Sequence, residues 1–390
     1  MSLPYPRLLR RLLAAVLFGL NFLPVSQAHI TQSVTPAPPV SSRLGSDTLA
    51  RAAAPAPSDS LPRVRRDADG RISTYTVAPG VTWHYDKPRP LRWVLHIPRD
   101  LGQFPRYAFR QDNTNTFVGL AVSSVALWVA DQAIVDWSQD FGKFIGLTAA
   151  STQKTLVYIP FRVGSANLPF EFNVPDNLNS TFYYLGDGWT HLSVASGFWI
   201  YGGLRKDNRA LQTSSQLGEA IFSTGLVVQS LKRLTGRQSP YVATQDRGEW
   251  HLFPSYGRYQ SFVPNYDAFP TGHLATAMAT VTVIAENYPE YHFIRPVGYT
   301  LMGLLSYSML NNGVHWASDY PVGIALGYAF ARIAVRNGRT RVAGALPEGG
   351  PAAGDTGLAP PRRPRPWYRQ GRFAPYTYGP FTGAVWSLHW

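Results

Sequence analysis

Cysteine is absent from all 390 residues, so neither disulfide staples nor thiolate chemistry contributes to this protein. Long unbroken hydrophobic runs are also scarce. The uncharged stretches 113–130 and 296–318 are diluted by Ser, Asn, Thr, Tyr or Gly, and mean hydropathy is −0.13. They read as buried bundle helices rather than bilayer spans. Acids are the scarcer charge, 23 Asp and Glu against 36 Lys and Arg, for a formal charge of +13. Such a balance suits anionic substrates or anionic lipid surfaces, and charge alone names neither. What is plentiful is apolar matter, 45% of the chain, enough for one large domain or two ordinary ones.

Arg7, Arg10 and Arg11 precede the apolar run Leu12 to Leu23, and Ser26-Gln27-Ala28 follows with small-x-small spacing. Residues 1–28 read as a signal peptide cleaved after Ala28, which places the protein in the periplasm or cell envelope. Its removal takes three arginines and no acid, leaving +10. Residues 29–66, rich in Pro, Ala and Ser, read as a linker. Residues 67–116 read as an irregular or short-strand apron, with strand-like pieces at Ile72 to Val77 and Trp93 to Ile97.

Residues 117–338 read as a helical bundle. Helical spacing runs from Phe117 to Trp137 and again over about 189–204. From Ser215 to Leu234 an amphipathic pattern places Leu217, Ile221, Val228, Leu231 and Leu234 on related turns, with Gly236 as the stop. After a loop over 237–268, helices are expected at about 272–287, 295–311 and 318–336. Residues 339–390, basic and Pro/Gly-rich with an aromatic end, read as an extended arm.

The chemistry-bearing residues cluster late in the chain. Thr271-Gly272-His273 stands directly before an apolar helix, whose start carries unpaired N–H groups and holds an anion readily. His315 has a carboxylate, Asp319, four residues on, and Lys232 precedes them all. Taken singly, each is ordinary: a cap, a structural imidazole, a charge at a helix end. Their joint order and spacing resemble the superfamily of type 2 phosphatidic acid phosphatases, bacterial nonspecific acid phosphatases and vanadium haloperoxidases. That family has Lys-x6-Arg-Pro, Pro-Ser-Gly-His and Ser-Arg-x5-His-x3-Asp. Here Lys232 leads to Ser239-Pro240, Pro270-Thr271-Gly272-His273 fits the second motif, and Ser308-Met309 with His315 and Asp319 fits the third.

The resemblance implies a mainly α, metal-independent phosphatase without a cofactor. His315 would be the nucleophile, forming a phosphohistidine, Asp319 would hold its ring in the productive tautomer, and His273 would be the general acid. Lys232, Thr271 and Gly272 would cradle the phosphoryl oxygens. Two family arginines are replaced, by Ser239 and Met309, and Arg237, with Arg247 or Arg258 behind it, is the candidate to swing in. The substrate would be a phosphomonoester, a lipid phosphate or a pyrophosphate, with no nucleic acid as partner. The aromatics Trp250, Phe253, Tyr256, Tyr259 and Phe262 and the basic tail lean toward a lipid and an anionic membrane surface. Two alternatives stay open: a vanadate-dependent haloperoxidase with His315 on the metal oxyanion, and a non-catalytic phosphate- or lipid-binding protein on the same fold.

Overall fold

A computed structural model describes residues 63–78, 81–110, 114–150, 152–160, 162–163, 166–167, 170–343, 372–378 and 381–387. The expected signal peptide and nearly all of the linker lie outside them. The chain falls into two units, residues 1–344 and 345–390. Of the second, the described part is an antiparallel hairpin, Arg372–Tyr378 with Phe381–Ser387.

The first unit is mainly helical. Its centre is the trio α5 (Asn208–Thr235), α7 (Gly272–Asn287) and α9 (Tyr320–Gly338). Leu217, Ala220, Ala279, Val283, Ala331 and Ala334 pack where they meet, with Val228, Ala275, Phe330 and Ile333 in an adjoining cluster. Small side chains bring α7 and α9 together so closely that a Cβ on Gly327 would lie 2.0 Å from the Ala275 carbonyl oxygen. Around the trio stand α3 (Leu178–Tyr184), α4 (Gly188–Arg205) and α8 (Ile294–Asn311).

Helix α5 begins seven residues before the apolar pattern does, because the Asp207 carboxylate accepts from the Ala210 N–H and caps it there. It ends at Gly236, whose left-handed backbone (φ 54°) lets its N–H return to the Lys232 carbonyl. The same Asp207 accepts a hydrogen bond from the Tyr75 hydroxyl at 2.8 Å. That ties the bundle to an antiparallel sheet of order β1-β2-β3-β8: Arg63–Arg66, Ile72–Ala78, Val81–Asp86 and Thr340–Ala343. Residues 340–343, expected in the arm, are thus the fourth strand of the apron sheet.

Three other expectations are corrected. Trp93 to Ile97 is a 3-10 turn, Arg92–His96, leading into helix α1 (Ile97–Ala108). Pro98 suits a first helical turn, where its missing N–H is not needed, and Leu101, Phe104 and Tyr107 recur at helical spacing to pack on Phe330's cluster. Within the span 117–338 read as a helical bundle, Gln153–Ile159 (β4) pairs with Phe170–Pro175 (β7), the two-residue strands Arg162–Val163 (β5) and Ala166–Asn167 (β6) lying between. Finally, α2 (Thr114–Phe144) is not a buried bundle helix. Its segment Val118–Phe144 is long and apolar enough to cross a membrane, and only 11% of its apolar window is buried. Val118, Val122, Val125, Val129 and Trp137 stand exposed, while Asp131, Val135 and Ser138 face inward.

The close approach of α7 and α9 gives a direct test. Gly327→Ala forces a methyl group onto the Ala275 backbone and is expected to cost about 1–3 kcal/mol, read as a lower thermal midpoint. Gly203→Ala on α4, where nothing lies within 4 Å of the new Cβ, should leave the midpoint unchanged or raise it, by roughly 0.5–1 kcal/mol of helix propensity.

Candidate active site

The site gathers four chain segments. The last turn of α5 supplies Lys232, 2% exposed, whose Nζ donates to Asp267 Oδ2 at 3.3 Å. The start of α7 supplies Thr271, Gly272 and His273. The turn after α8 supplies His315, and the following 3-10 turn, Ala317–Asp319, supplies Ser318 and Asp319. The rings of His273 and His315 converge, with centroids 6.2 Å apart. Tyr183 of α3 flanks His273 at 4.4 Å between centroids.

His315 is 1% exposed, and its Nδ1 lies 2.6 Å from the Ala268 carbonyl oxygen. A carbonyl can only accept, so Nδ1 carries the proton and the neutral ring keeps its lone pair on Nε2. Asp319 was expected to set that tautomer, but its nearer oxygen is 3.6 Å from Nδ1. That oxygen accepts instead from the Trp316 N–H at 2.8 Å, and the other accepts from Arg237 Nη1 at 2.6 Å. Asp319 therefore lies beside the imidazole without a hydrogen bond to it, and the main chain at Ala268 fixes the ring.

Arg237, the expected replacement phosphate ligand, is turned elsewhere. It is fully buried, with Nη1 donating to Asp319 and to Ser318 Oγ (2.7 Å) and Nη2 donating to Asp131 Oδ2 (2.7 Å) and the Arg247 carbonyl (3.1 Å). Trp250 and Trp316 cover it at 4.9 and 5.2 Å from their ring centroids. Of the further candidates, Arg247 lies over the Trp128 ring at 4.8 Å and Arg258 is exposed on the short helix α6 (Tyr256–Ser261).

At the two positions where the family pattern has arginine, Ser239 is buried with its hydroxyl unpartnered, and Met309 is fully buried. The Thr271 hydroxyl donates to the Met309 sulfur at 3.7 Å. Thr271 itself is fully buried and makes no capping bond to α7, while Gly272 at the first helical position is partly exposed. No group of three His, Asp or Glu side chains able to hold a metal ion occurs among the described residues.

Burial holds His273 well below the ordinary histidine range, assisted by the neighbouring His315, Lys232 and His191. His191 of α4 is the third imidazole of this electrostatic surround, after His273 and His315, and sequence reasoning missed it. It is 4% exposed, faces the Thr280 hydroxyl at 3.0 Å, and burial lowers its pKa to about 4. Also missed were Ala268, whose part is played by its backbone, and Asp131. The latter did leave a signal, a carboxylate placed directly after an uncharged helical stretch.

The buried histidine makes stability depend on pH in a definite direction. Below the unfolded pKa of 6.5 the unfolded chain takes up a proton that folded His191 refuses down to about 4, so stability falls as pH is lowered through that window. A His191→Gln variant should show a shallower loss of thermal midpoint between pH 6.5 and 4, the difference approaching on the order of 3 kcal/mol at the acid end.

Residues 214–343 match the PAP2 superfamily. A curated relative, Lipid A 1-phosphatase of Porphyromonas gingivalis, is 35% identical over 77 residues, which cover 19% of this chain and 17% of the relative, less than a fifth of its length. Among solved structures, the crystal structure of Aquifex aeolicus LpxE aligns with 40% of this chain and 83% of its own at 23% identity, with a TM-score of 0.32. The matched segment holds Lys232, the Thr271-Gly272-His273 helix start, His315 and Asp319, and residues 214–343 of this chain form a domain of the PAP2 superfamily.

Proposed function

We propose that this chain is a membrane-associated phosphatase of the cell envelope. It hydrolyses a lipid phosphate or a related phosphomonoester or pyrophosphate through a phosphohistidine on His315, without a metal ion. The observation that carries this reading is the converging pair of imidazoles, with the His315 proton committed to Ala268 and Nε2 left as the nucleophilic nitrogen.

In the proposed reaction the Nε2 lone pair forms a bond to phosphorus as the bond to the leaving oxygen breaks, and that oxygen takes a proton from His273. Water then attacks phosphorus, giving its proton to His273, and the phosphorus–nitrogen bond opens to release phosphate. Free His273 is largely neutral because burial disfavours its charged form. A bound phosphate dianion reverses that balance, since an opposite charge nearby favours the imidazolium. Lys232 and the first N–H groups of α7 are the donors available to the phosphoryl oxygens.

A phosphorylated lipid is the favoured substrate class. The similarity to a protein named Lipid A 1-phosphatase supports it, as does α2, whose exposed apolar surface is suited to lie in a bilayer. The loss of two family arginines favours the second reading, a non-catalytic phosphate- or lipid-binding protein.

Assays on p-nitrophenyl phosphate and on phosphatidic acid in vesicles separate these. His315→Ala is expected to remove turnover by roughly three orders of magnitude or more, with a chelator leaving the wild-type rate unchanged. Equal background in both proteins would establish the binding module instead. Halide oxidation appearing only on addition of vanadate would point to the haloperoxidase.

A further inference from the structure

We propose that Asp131, on the apolar helix α2 and outside the PAP2-matched segment, is a positioning residue for the His315–Asp319 pair; this rests on the phosphatase reading for its kinetic consequences. Asp131 is fully buried. One carboxylate oxygen accepts from the Ser318 N–H at 2.9 Å, and the other accepts from Ser318 Oγ at 2.6 Å and from Arg237 Nη2 at 2.7 Å. A single side chain of α2 thereby grips both the main chain of the residue preceding Asp319 and the guanidinium that holds Asp319.

The charge count explains why a carboxylate is useful there. One guanidinium and one carboxylate, Arg237 with Asp319, would form a neutral pair. With Asp131 on its other side, Arg237 is shared between two carboxylates, and the trio carries one negative charge in an interior that water does not reach. Charge interactions there are screened far less than in solvent. The nearest group able to become cationic beside Asp319 is the His315 ring, at 3.6 Å. When Nε2 bonds to phosphorus the imidazole becomes positively charged while Nδ1 keeps its proton, so the excess negative charge is placed to stabilise that intermediate.

The other groups around His315 do not supply this charge. Lys232 of α5 and His273 of α7 are potential cations. Asp267 is engaged by Lys232, and Arg247 enters the network only through its carbonyl. Neutralising Asp131 leaves Arg237 to Asp319 alone, which withdraws negative charge from the ring. His315 then becomes a weaker base and a poorer nucleophile, and its protonation moves to lower pH.

The test uses the full chain and two independent readings. Asp131→Asn keeps the shape and an acceptor for the Ser318 N–H while removing the charge. Its kcat on p-nitrophenyl phosphate is expected to fall about 10- to 100-fold, with KM within about twofold and the acid limb of the rate profile shifted to lower pH. Titration of His315 followed by NMR of nitrogen-15-labelled histidine in the ligand-free protein should show the same downward shift.

The double variant Asp131→Asn with Arg237→Gln removes one charge of each sign, leaves Asp319 unbalanced, and should return the His315 titration toward the wild-type position. It also serves as the readable variant if Asp131→Asn alone does not fold, since no guanidinium is left facing the new amide. A single variant with wild-type kcat and an unmoved His315 titration overturns the proposal, as does a double variant whose titration is shifted down. A wild-type protein without phosphatase turnover would sink the phosphatase reading alone, and the titration would still decide whether Asp131 acts on His315.

Discussion

A guanidinium buried between two carboxylates organises this molecule. Taking Arg237, Asp131 and Asp319 out of water costs several kcal/mol per ion, which attraction within the trio offsets only if the geometry is good and the hydrogen bonds are complete. Here they nearly are: both terminal nitrogens of Arg237 are doubly engaged, Asp131 also binds the Ser318 amide and hydroxyl, and Asp319 binds the Trp316 amide. Only the Arg237 Nε lacks a partner. Removing Arg237 would leave two buried carboxylates without a counter-charge, and through it the trio ties together three distant chain segments.

That placement determines the site. The turn from Gly236 to Arg237 follows directly on the helix that carries Lys232, and the Arg237 carbonyl accepts from the Ala268 N–H at 3.0 Å. Ala268 in turn offers its own carbonyl to His315. The backbone is therefore anchored by charge at the guanidinium and joined to the imidazole by main-chain hydrogen bonds through Ala268. The Trp316 indole donates to the Gln238 carbonyl at 2.8 Å and closes the ring of contacts. In the proposed reaction an imidazole so enclosed would lose little entropy on the way to attack.

Much of this was legible beforehand, and for identifiable reasons. The spans of α7 and α8 followed from apolar spacing bounded by Gly272, Pro289 and Gly313, because local punctuation decides where such helices stop. The convergence of His273 and His315 followed from motif spacing. What spacing could not give was the direction of a side chain. Arg237 lies two residues from a position where the family pattern has arginine, and only tertiary contact with Asp131, 106 residues earlier, shows that it turns inward. The role of Ala268 was invisible because a backbone carbonyl is present at every residue. The exposed face of α2 was misread because burial was inferred from dilution by Ser, Asn and Gly over the whole stretch, whereas only tertiary packing shows that Val118, Val122, Val125, Val129 and Trp137 stand exposed.

The replaced arginines bear on what the site can recognise. Met309 is no vacancy: it packs in a cluster with Tyr183, Leu274 and Leu305 and receives the Thr271 hydroxyl, so a fork of charged donors has become core. An arginine fork both attracts and orients a phosphate, while a lysine attracts as a point charge and orients little. In the proposed reaction Lys232 must therefore be supplemented by something that aligns the ester, and the lost contacts, about 1.5–3 kcal/mol apiece for hydrogen bonds to charged groups, must be recovered elsewhere. An apolar substrate body can do both. Beside the Arg237 network lies a slot of about 180 Å³ lined by Val125, Trp128, Trp250 and Phe269, with Ser124 and Ser318 at its polar points. Phe269 is two residues from Thr271 and shares the chain that carries Ala268. Burial of a few methylene groups at about 0.8 kcal/mol each would match one lost arginine contact. A small soluble phosphate ester has no such group to bury, so if the proposed reaction holds, the exchange of arginines for Ser239 and Met309 would be offset better by a lipid phosphate than by a soluble one.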